Sequence, residues 1–224
     1  MGKPVAVVIF PGTNCEHDVV RALSITGVTS KLVWHQETDL SECSGVVVPG
    51  GFAHGDYLRP GAIARFSPIM SAIAAMAKKG APVLGICNGF QVLTEAGLLP
   101  GALQKNSGLR FICKDCELEV VSNRSIATSV LESNARITLP INHFEGRYTC
   151  DSETLAQLVE YDQIVLRYTD NPNGSVEAIA AISNRIGNVV GMMPHPERAS
   201  EPLAGGTDGR YVLESLKAAQ FANW

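Results

Sequence analysis

The sequence predicts one α/β domain over residues 1–224, built on an open, mostly parallel sheet that is flanked by helices and extended by appended antiparallel strands. Short runs rich in β-branched residues are almost continuously apolar, as strands covered on both faces are. Helical segments separate most of these runs, which favours a parallel arrangement. The 224 residues are 46% hydrophobic and show no repeat or linker, so one core of ordinary size is expected.

The first half of the chain supplies the predicted parallel strands, at residues 5–10, 29–34, 45–48 and 83–86. A first helix is expected to begin with a capping box from Thr13 to Glu16 and to end before Gly27. A second helix is expected from about Ser67, with Ile69, Ile73 and Met76 on one side, and it ends before Gly80.

The second half begins with a change of pattern. Between about residues 111 and 148, segments such as 117–121 and 136–139 alternate between polar and apolar residues, which predicts antiparallel strands. The core sheet is expected to resume at residues 164–166, 179–183 and 189–193. A last helix is expected from about Asp208 to Phe221.

Charge and hydropathy argue against two classes of partner. The formal charge is −4, the isoelectric point is about 5.7, and no run of five basic residues occurs, so nucleic acid and anionic membranes are not expected to bind. The apolar run at residues 5–10 is too short for a secretion signal, and no stretch reaches the roughly 18 residues of a membrane span. A cytoplasmic protein is therefore expected.

The six cysteines are too few to indicate a disulfide scaffold in a chain of this size, so reduced thiols are expected. Cys113 and Cys116 have the spacing of half a zinc site. No second pair of suitably spaced ligands completes four, and neither a metal nor a cofactor is predicted in this chain.

The most informative motif is Gly85-Ile86-Cys87-Asn88-Gly89, which follows a predicted strand and precedes a helical segment that ends near Gly97. It matches the strand-turn-helix elbow that presents a nucleophile, with cysteine in place of serine. The helix N-terminus favours the thiolate, but a histidine base is still needed. A buried structural cysteine in a tight turn is the alternative.

A base with its orienting carboxylate follows the run at 189–193. His195 stands between two prolines, and Glu197 comes two residues later, so both side chains point the same way in extended chain. Active sites of open α/β sheets lie at the carboxyl ends of such strands. His143 and Glu145 repeat this spacing and compete for the role, but His143 belongs to the appended region.

Backbone donors for an oxyanion are expected beside the elbow. The strand at 45–48 ends in Pro49-Gly50-Gly51, a turn that can expose N–H groups toward a neighbouring nucleophile. The N–H groups of Gly51 and Asn88 form the expected pair. A plain glycine loop is the alternative.

The chain resembles class I glutamine amidotransferases and, within them, closely resembles the glutaminase subunits of phosphoribosylformylglycinamidine synthases. The resemblance runs nearly end to end, and its most specific marks are PGTNCE (11–16), PGGFAHGDYLRPG (49–61), GICNGFQ (85–91), NHFEGRY (142–148) and His195-Pro196-Glu197. It implies a Cys87, His195, Glu197 triad, a γ-glutamyl thioester, release of ammonia and contact of glutamine with Gln91. Asn142 and His143 are expected to border the glutamine pocket or the partner interface.

The resemblance also implies partners. A separate synthetase, which binds ATP and magnesium and acts on formylglycinamide ribonucleotide, would use the ammonia in purine synthesis, and a small bridging subunit would join the complex. The chain has no phosphate-binding Gly-x-x-x-x-Gly-Lys-Ser/Thr loop of its own. Two alternatives remain: another hydrolase on a related fold, or a docking subunit without catalysis. The roles of Asp56, Arg59 and Arg147, as interface, phosphate-contacting or merely solvated charges, stay open.

Overall fold

The computed structural model describes residues 2–220. Its strands are β1 (Val5–Ile9), β2 (Ser30–Trp34), β3 (Gly45–Val48), β4 (Val83–Ile86), β5 (Ala102–Gln104), β6 (Ile112–Val120), β7 (Arg136–His143), β8 (Arg147–Thr149), β9 (Ile164–Tyr168), β10 (Ile179–Ser183) and β11 (Val189–Met192). Its α-helices are α1 (Glu16–Ile25), α2 (Ile69–Lys78), α3 (Asn88–Glu95), α4 (Ser152–Glu160) and α5 (Gly209–Ala219). None of the helices in this part of the chain has the length and apolar sequence needed to cross a bilayer.

Nine strands form one sheet in the order β2-β1-β3-β4-β11-β10-β9-β6-β7, and β5 pairs with β8 in a separate ribbon. The five strands from β2 to β11 run parallel to their neighbours. From β11 to β7 every pair is antiparallel. The predicted α/β fold with appended antiparallel strands is confirmed, and its antiparallel part also includes β9 and β10.

The parallel part of the sheet is the most deeply buried. Every residue of β3, β4 and β11 is buried, and only Ile9 of β1 keeps partial exposure. Helix α1 packs against β1 and β2, and α3 packs against β3, β4 and β11. Because parallel neighbours end at the same edge, the residues that follow β3, β4 and β11 meet there.

The predicted capping box is wrong. Helix α1 begins at Glu16, and Cys15, at its N-cap, makes no side-chain capping hydrogen bond. The Thr13 hydroxyl instead accepts a hydrogen bond from the Phe10 N–H at 3.0 Å, and Thr13 forms a β-bridge with Gly51. The segment before α1 is therefore shaped by its pairing with the loop after β3, which a local motif does not anticipate.

Other boundaries differ by a few residues. The second helix begins at Ile69, and it buries Ile69 and Ile73 as predicted, while Met76 is half-buried. The last helix ends at Ala219, and its predicted end, Phe221, lies outside the described residues. The short strands β5 and β8 and the helix α4 were not predicted.

Gly89 allows the N-terminus of α3 to lie directly on the end of β3. A Cβ at this position would overlap the carbonyl oxygen of Val48. The absence of a side chain therefore sets how closely the elbow approaches the neighbouring strand.

We expect Gly89→Ala to lower the free energy of unfolding by about 1–3 kcal/mol, the usual cost of overpacking a core. Helix propensity alone would favour alanine by about 1 kcal/mol, so a loss reports the steric clash. Denaturant unfolding measures the change. The matched control is Gly108→Ala, where an added Cβ meets nothing within 4 Å. Equal stability of the two variants would contradict this packing.

Candidate active site

The predicted nucleophile stands at a strained turn between β4 and α3. Cys87 has φ 51° and ψ −105°, which is unfavourable for a residue with a Cβ. Its N–H donates to the Met192 carbonyl of the adjacent strand at 2.7 Å, and the residue is 6% exposed. Its thiol makes a long contact, 3.9 Å, with the carbonyl oxygen of Asn142. This is the geometry of a nucleophile elbow.

His195 and Glu197 lie immediately after β11, next to the elbow. His195 Nδ1 and Glu197 Oε1 are 2.6 Å apart, and both side chains are almost completely buried. The backbone N–H of His195 also donates to the Pro140 carbonyl at 2.8 Å, which fixes the main chain at this residue. The carboxylate thus holds the ring from one side, while Nε2 has no partner among the described residues.

The charges around His195 determine its protonation. Burial alone would lower the pKa of His195, but the Glu197 carboxylate and then Cys87 act against burial and raise the pKa well above its ordinary value. A histidine with an elevated pKa and a free Nε2 can accept a proton from a thiol and hold it.

Gly50 allows the ring to lie against the elbow. A Cβ on this residue would stand 2.9 Å from His195 Cε1, 3.2 Å from Cys15 Sγ and 3.5 Å from Cys87 Cβ. The loop after β3 therefore lies against the imidazole and two cysteine side chains with no room for a side chain of its own.

The rival histidine has a different environment. His143 ends β7 and lines the same cavity, but its Nδ1 faces the Asn106 side-chain oxygen at 3.1 Å, and within residues 2–220 no carboxylate bonds to its ring. Burial, and then the charge of His195, lower the pKa of His143 to about 4. A neutral imidazole held by an amide is suited to shaping the pocket, so the geometry favours His195 as the base.

The expected oxyanion donors flank Cys87. Gly51 has φ 143°, a conformation that favours glycine, and a Cβ there would meet the Asn14 nitrogen at 2.8 Å. Within the described part of the chain, no protein group accepts a hydrogen bond from the backbone N–H of Gly51 or Asn88. Both N–H groups therefore remain available to a ligand.

A cavity of about 210 Å³ opens in front of these groups. Every predicted substrate contact (Gln91, Asn142 and His143) lines it, together with Cys87 and His195 of the predicted triad. Gln91 is fixed in place, because Asn88 Nδ2 donates to its Oε1 at 2.9 Å and its Nε2 donates to the carbonyl oxygen of Glu145 at 2.5 Å.

Cys15 and Arg198 also line this cavity, and sequence patterns predict no role for either residue. Arg198 donates to Cys15 Sγ at 3.1 Å, and the same thiol lies 3.1 Å from the side-chain oxygen of Asn14. Cys15 thus has partners that Cys87 lacks. Cys15 belongs to the PGTNCE motif, which is a mark of the family resemblance but assigns no role to this cysteine.

Possible metal ligands also meet here. Within residues 2–220, Cys15, His195 and Glu197 form a group whose ligand atoms lie within 4.8 Å of one another. Nδ1 of the histidine is bonded to the glutamate, and the thiol is bonded to Arg198. These bonds account for the cluster without an ion.

The three charged residues whose roles stayed open have separate environments. Arg59 forms a two-pronged ion pair with Glu95 at 2.6 and 2.7 Å, and Arg147 donates to the Gln104 side chain at 2.7 Å. Asp56 alone among them lines the cavity.

Comparison with known proteins gives a family. Residues 3–208 match the family model of CobB/CobQ-like glutamine amidotransferase domains. The chain is 55% identical over 213 residues to phosphoribosylformylglycinamidine synthase subunit PurQ of Parasynechococcus marenigrum, covering 95% of this chain and 98% of the relative. It is 50% identical over 226 residues to the protein of that name from Salinibacter ruber, with 96% of each chain covered.

Solved structures agree. A chain in the structure of PurLQS from Thermotoga maritima is 43% identical and superposes with a TM-score of 0.90, covering 97% of this chain and 99% of that one. The glutaminase domain of Trypanosoma brucei CTPS with bound acivicin is 17% identical, with a TM-score of 0.63 and coverage of 99% and 95%. At that identity the second likeness shows the fold alone.

We expect Glu197→Gln to lower the pKa of His195, because the loss of the carboxylate charge leaves burial less opposed. NMR titration of the imidazole measures this directly. The control is Glu145→Gln, which removes a carboxylate from the same cavity but not from the His195 ring. An unchanged pKa in Glu197→Gln would show that Glu197 does not set the charge of the base.

Proposed function

The chain belongs to the CobB/CobQ-like glutamine amidotransferase family, and we propose that it is the glutaminase subunit of a phosphoribosylformylglycinamidine synthase. It hydrolyses glutamine to glutamate and ammonia, and a separate synthetase uses the ammonia to convert formylglycinamide ribonucleotide to formylglycinamidine ribonucleotide. The observation that carries the proposal is the buried His195–Glu197 pair beside the strained Cys87 elbow. We take residues 1–224 as one amidotransferase domain.

In the first half of the reaction, His195 Nε2 takes the thiol proton of Cys87 and the thiolate attacks the side-chain amide carbon of glutamine. The negative charge that develops on the amide oxygen is received by the N–H groups of Gly51 and Asn88. His195 then gives its proton to the amide nitrogen and the C–N bond breaks. Ammonia departs, and a γ-glutamyl thioester remains on Cys87.

In the second half, a water molecule attacks the thioester carbon while His195 takes a proton from that water. The tetrahedral species collapses and the C–S bond breaks, and His195 returns its proton to the Cys87 sulfur, so glutamate leaves and the free thiol is restored. Glu197 stabilises the imidazolium in both halves and does not itself need to become protonated. Gln91, Asn142 and His143 line the cavity that holds the substrate.

The complex supplies the remaining chemistry. The two relatives described above are named as subunits of the synthase, and the Thermotoga maritima structure is of PurLQS. We propose that this chain binds a synthetase and a small bridging subunit, and that ATP and magnesium bind to the synthetase. A cytoplasmic location agrees with the six cysteines, which carry no disulfide.

The test uses the complex reconstituted from this chain, the synthetase, the bridging subunit, ATP and formylglycinamide ribonucleotide. We expect Cys87→Ala to reduce glutamate release by at least about 10⁴-fold, because loss of a nucleophile removes the covalent route. The variant complex should still form product when ammonium chloride replaces glutamine.

The matched control is Cys113→Ala, which removes an exposed cysteine outside the cavity and should leave activity unchanged. If Cys87→Ala lost neither glutamate release nor product formation, the chain would be a docking subunit. If the wild-type complex cleaved a different amide, it would belong to another class of hydrolase.

A further inference from the structure

A half-buried carboxylate lies in the cavity wall, and no ion pair within residues 2–220 includes it. Asp56 lines the cavity near Cys87 and Gln91, and its Oδ1 accepts a hydrogen bond from Asn88 Nδ2 at 3.1 Å. The arginines that follow it in the chain, Arg59 and Arg65, pair with Glu95 instead.

No positive charge among the described residues contributes to the pKa of Asp56. Burial raises the pKa of Asp56 to about 6; the hydrogen bond from Asn88 opposes this, and the charge of Glu145 adds to it. Glu145 lines the same cavity. A bound cation at this position would favour ionisation of Asp56 and relieve the repulsion between the two carboxylates.

We propose that Asp56 binds the α-ammonium group of glutamine and so determines which amides the site accepts. The inference rests on the proposed function, because it takes glutamine as the substrate. Glutamine carries its only positive charge at the end of the molecule away from the amide that Cys87 attacks. Asp56 and Gln91 offer oxygen acceptors for that group.

Asn88 relates the two ends of the substrate. Its backbone N–H is one of the two oxyanion donors, while its side-chain nitrogen donates to both Asp56 Oδ1 and Gln91 Oε1, at 3.1 and 2.9 Å. Its side-chain oxygen accepts from the Ala53 N–H at 2.9 Å. The residue that receives charge at the amide thus also positions the acceptors for the amine.

The backbone around Asp56 is held in an uncommon conformation. His54, Asp56 and Leu58 have φ values of 56°, 52° and 70°, although none of them is glycine. Such conformations persist when surrounding contacts enforce them, and they are concentrated at ligand sites. Here they direct the Asp56 side chain toward Asn88 and the cavity.

The test compares glutamine with 4-carbamoylbutanoate, which is glutamine without its amino group, in the full complex with synthetase, ATP and formylglycinamide ribonucleotide. Asp56→Asn keeps the size of the side chain and an oxygen for Asn88. We expect it to raise KM for glutamine about 10- to 100-fold, the range for loss of a hydrogen bond to a charged group, with kcat changed less than fivefold. KM for 4-carbamoylbutanoate should stay the same.

Two control variants define the outcomes. Asp115→Asn removes an exposed carboxylate outside the cavity and should change neither KM value. Glu145→Gln tests the other acidic group in the cavity. If Glu145→Gln alone abolishes the preference for glutamine, the ammonium pairs with Glu145 and the assignment is overturned. If Asp56→Asn raises KM equally for glutamine and for 4-carbamoylbutanoate, the assignment of Asp56 is overturned as well.

A measurement on the wild-type complex does not depend on folding of a variant. As the pH falls through about 6, protonation of Asp56 should raise KM for glutamine relative to KM for 4-carbamoylbutanoate. The other ionisable groups that line the cavity are Cys15, Cys87, His143, Glu145, His195 and Arg198. The groups at the amide end of the cavity affect KM for both substrates, so their effects cancel in the ratio of the two KM values. The variant Glu145→Gln accounts for the effect of the remaining carboxylate.

A pH-independent ratio would overturn the assignment while leaving Cys87-dependent glutaminase activity in place. Absence of that activity in the wild-type complex would instead remove the proposed function, so the two failures are distinguishable.

Discussion

The buried hydrogen bond between His195 and Glu197 is the interaction on which the site depends. Glu197 lies in a short helical turn, Pro196–Ala199, which packs against α1, α5 and β7. A charged carboxylate is costly to bury, and the protonated imidazole offsets that cost only if the two groups stay in contact. The packing of three separate elements around one turn is what keeps them so.

The edge of the sheet explains how distant segments form one cavity. The loops after β3, β4 and β11 meet because parallel strands end together, and they bring Gly51, Cys87 and His195 with them. The NHFEGRY segment comes from the antiparallel part and covers the same opening through Asn142, His143 and Glu145. The parallel strands thus position the reacting groups, while the antiparallel extension forms a wall of the pocket.

The predictable parts of the structure were those with local or strongly periodic signals. Apolar runs located the central strands within one or two residues, and the glycine-flanked Cys87 located the elbow, because a sharp turn leaves few alternatives to glycine. The capping box failed, since Thr13 bonds backwards to Phe10 and pairs with Gly51 across the sheet edge. The proximity of Asp56 to Asn88 is likewise a long-range contact, and charge in a glycine-rich loop does not reveal it.

The carboxylates of Glu197 and Asp56 have different environments, and the difference indicates a different role for each. Glu197 has a permanent partner in His195, so its charge is used inside the protein to raise the pKa of the base. Among the described residues, the groups that act on the pKa of Asp56 are the neutral amide of Asn88 and the like charge of Glu145, so its charge has no partner of opposite sign there until a ligand binds. The Glu197 carboxylate therefore has its counter-charge in the free protein, whereas the Asp56 carboxylate, which has a neutral hydrogen-bond donor in Asn88, gains one when a cationic ligand binds. A site arranged in this way distinguishes an amino acid amide from other amides before any bond is broken.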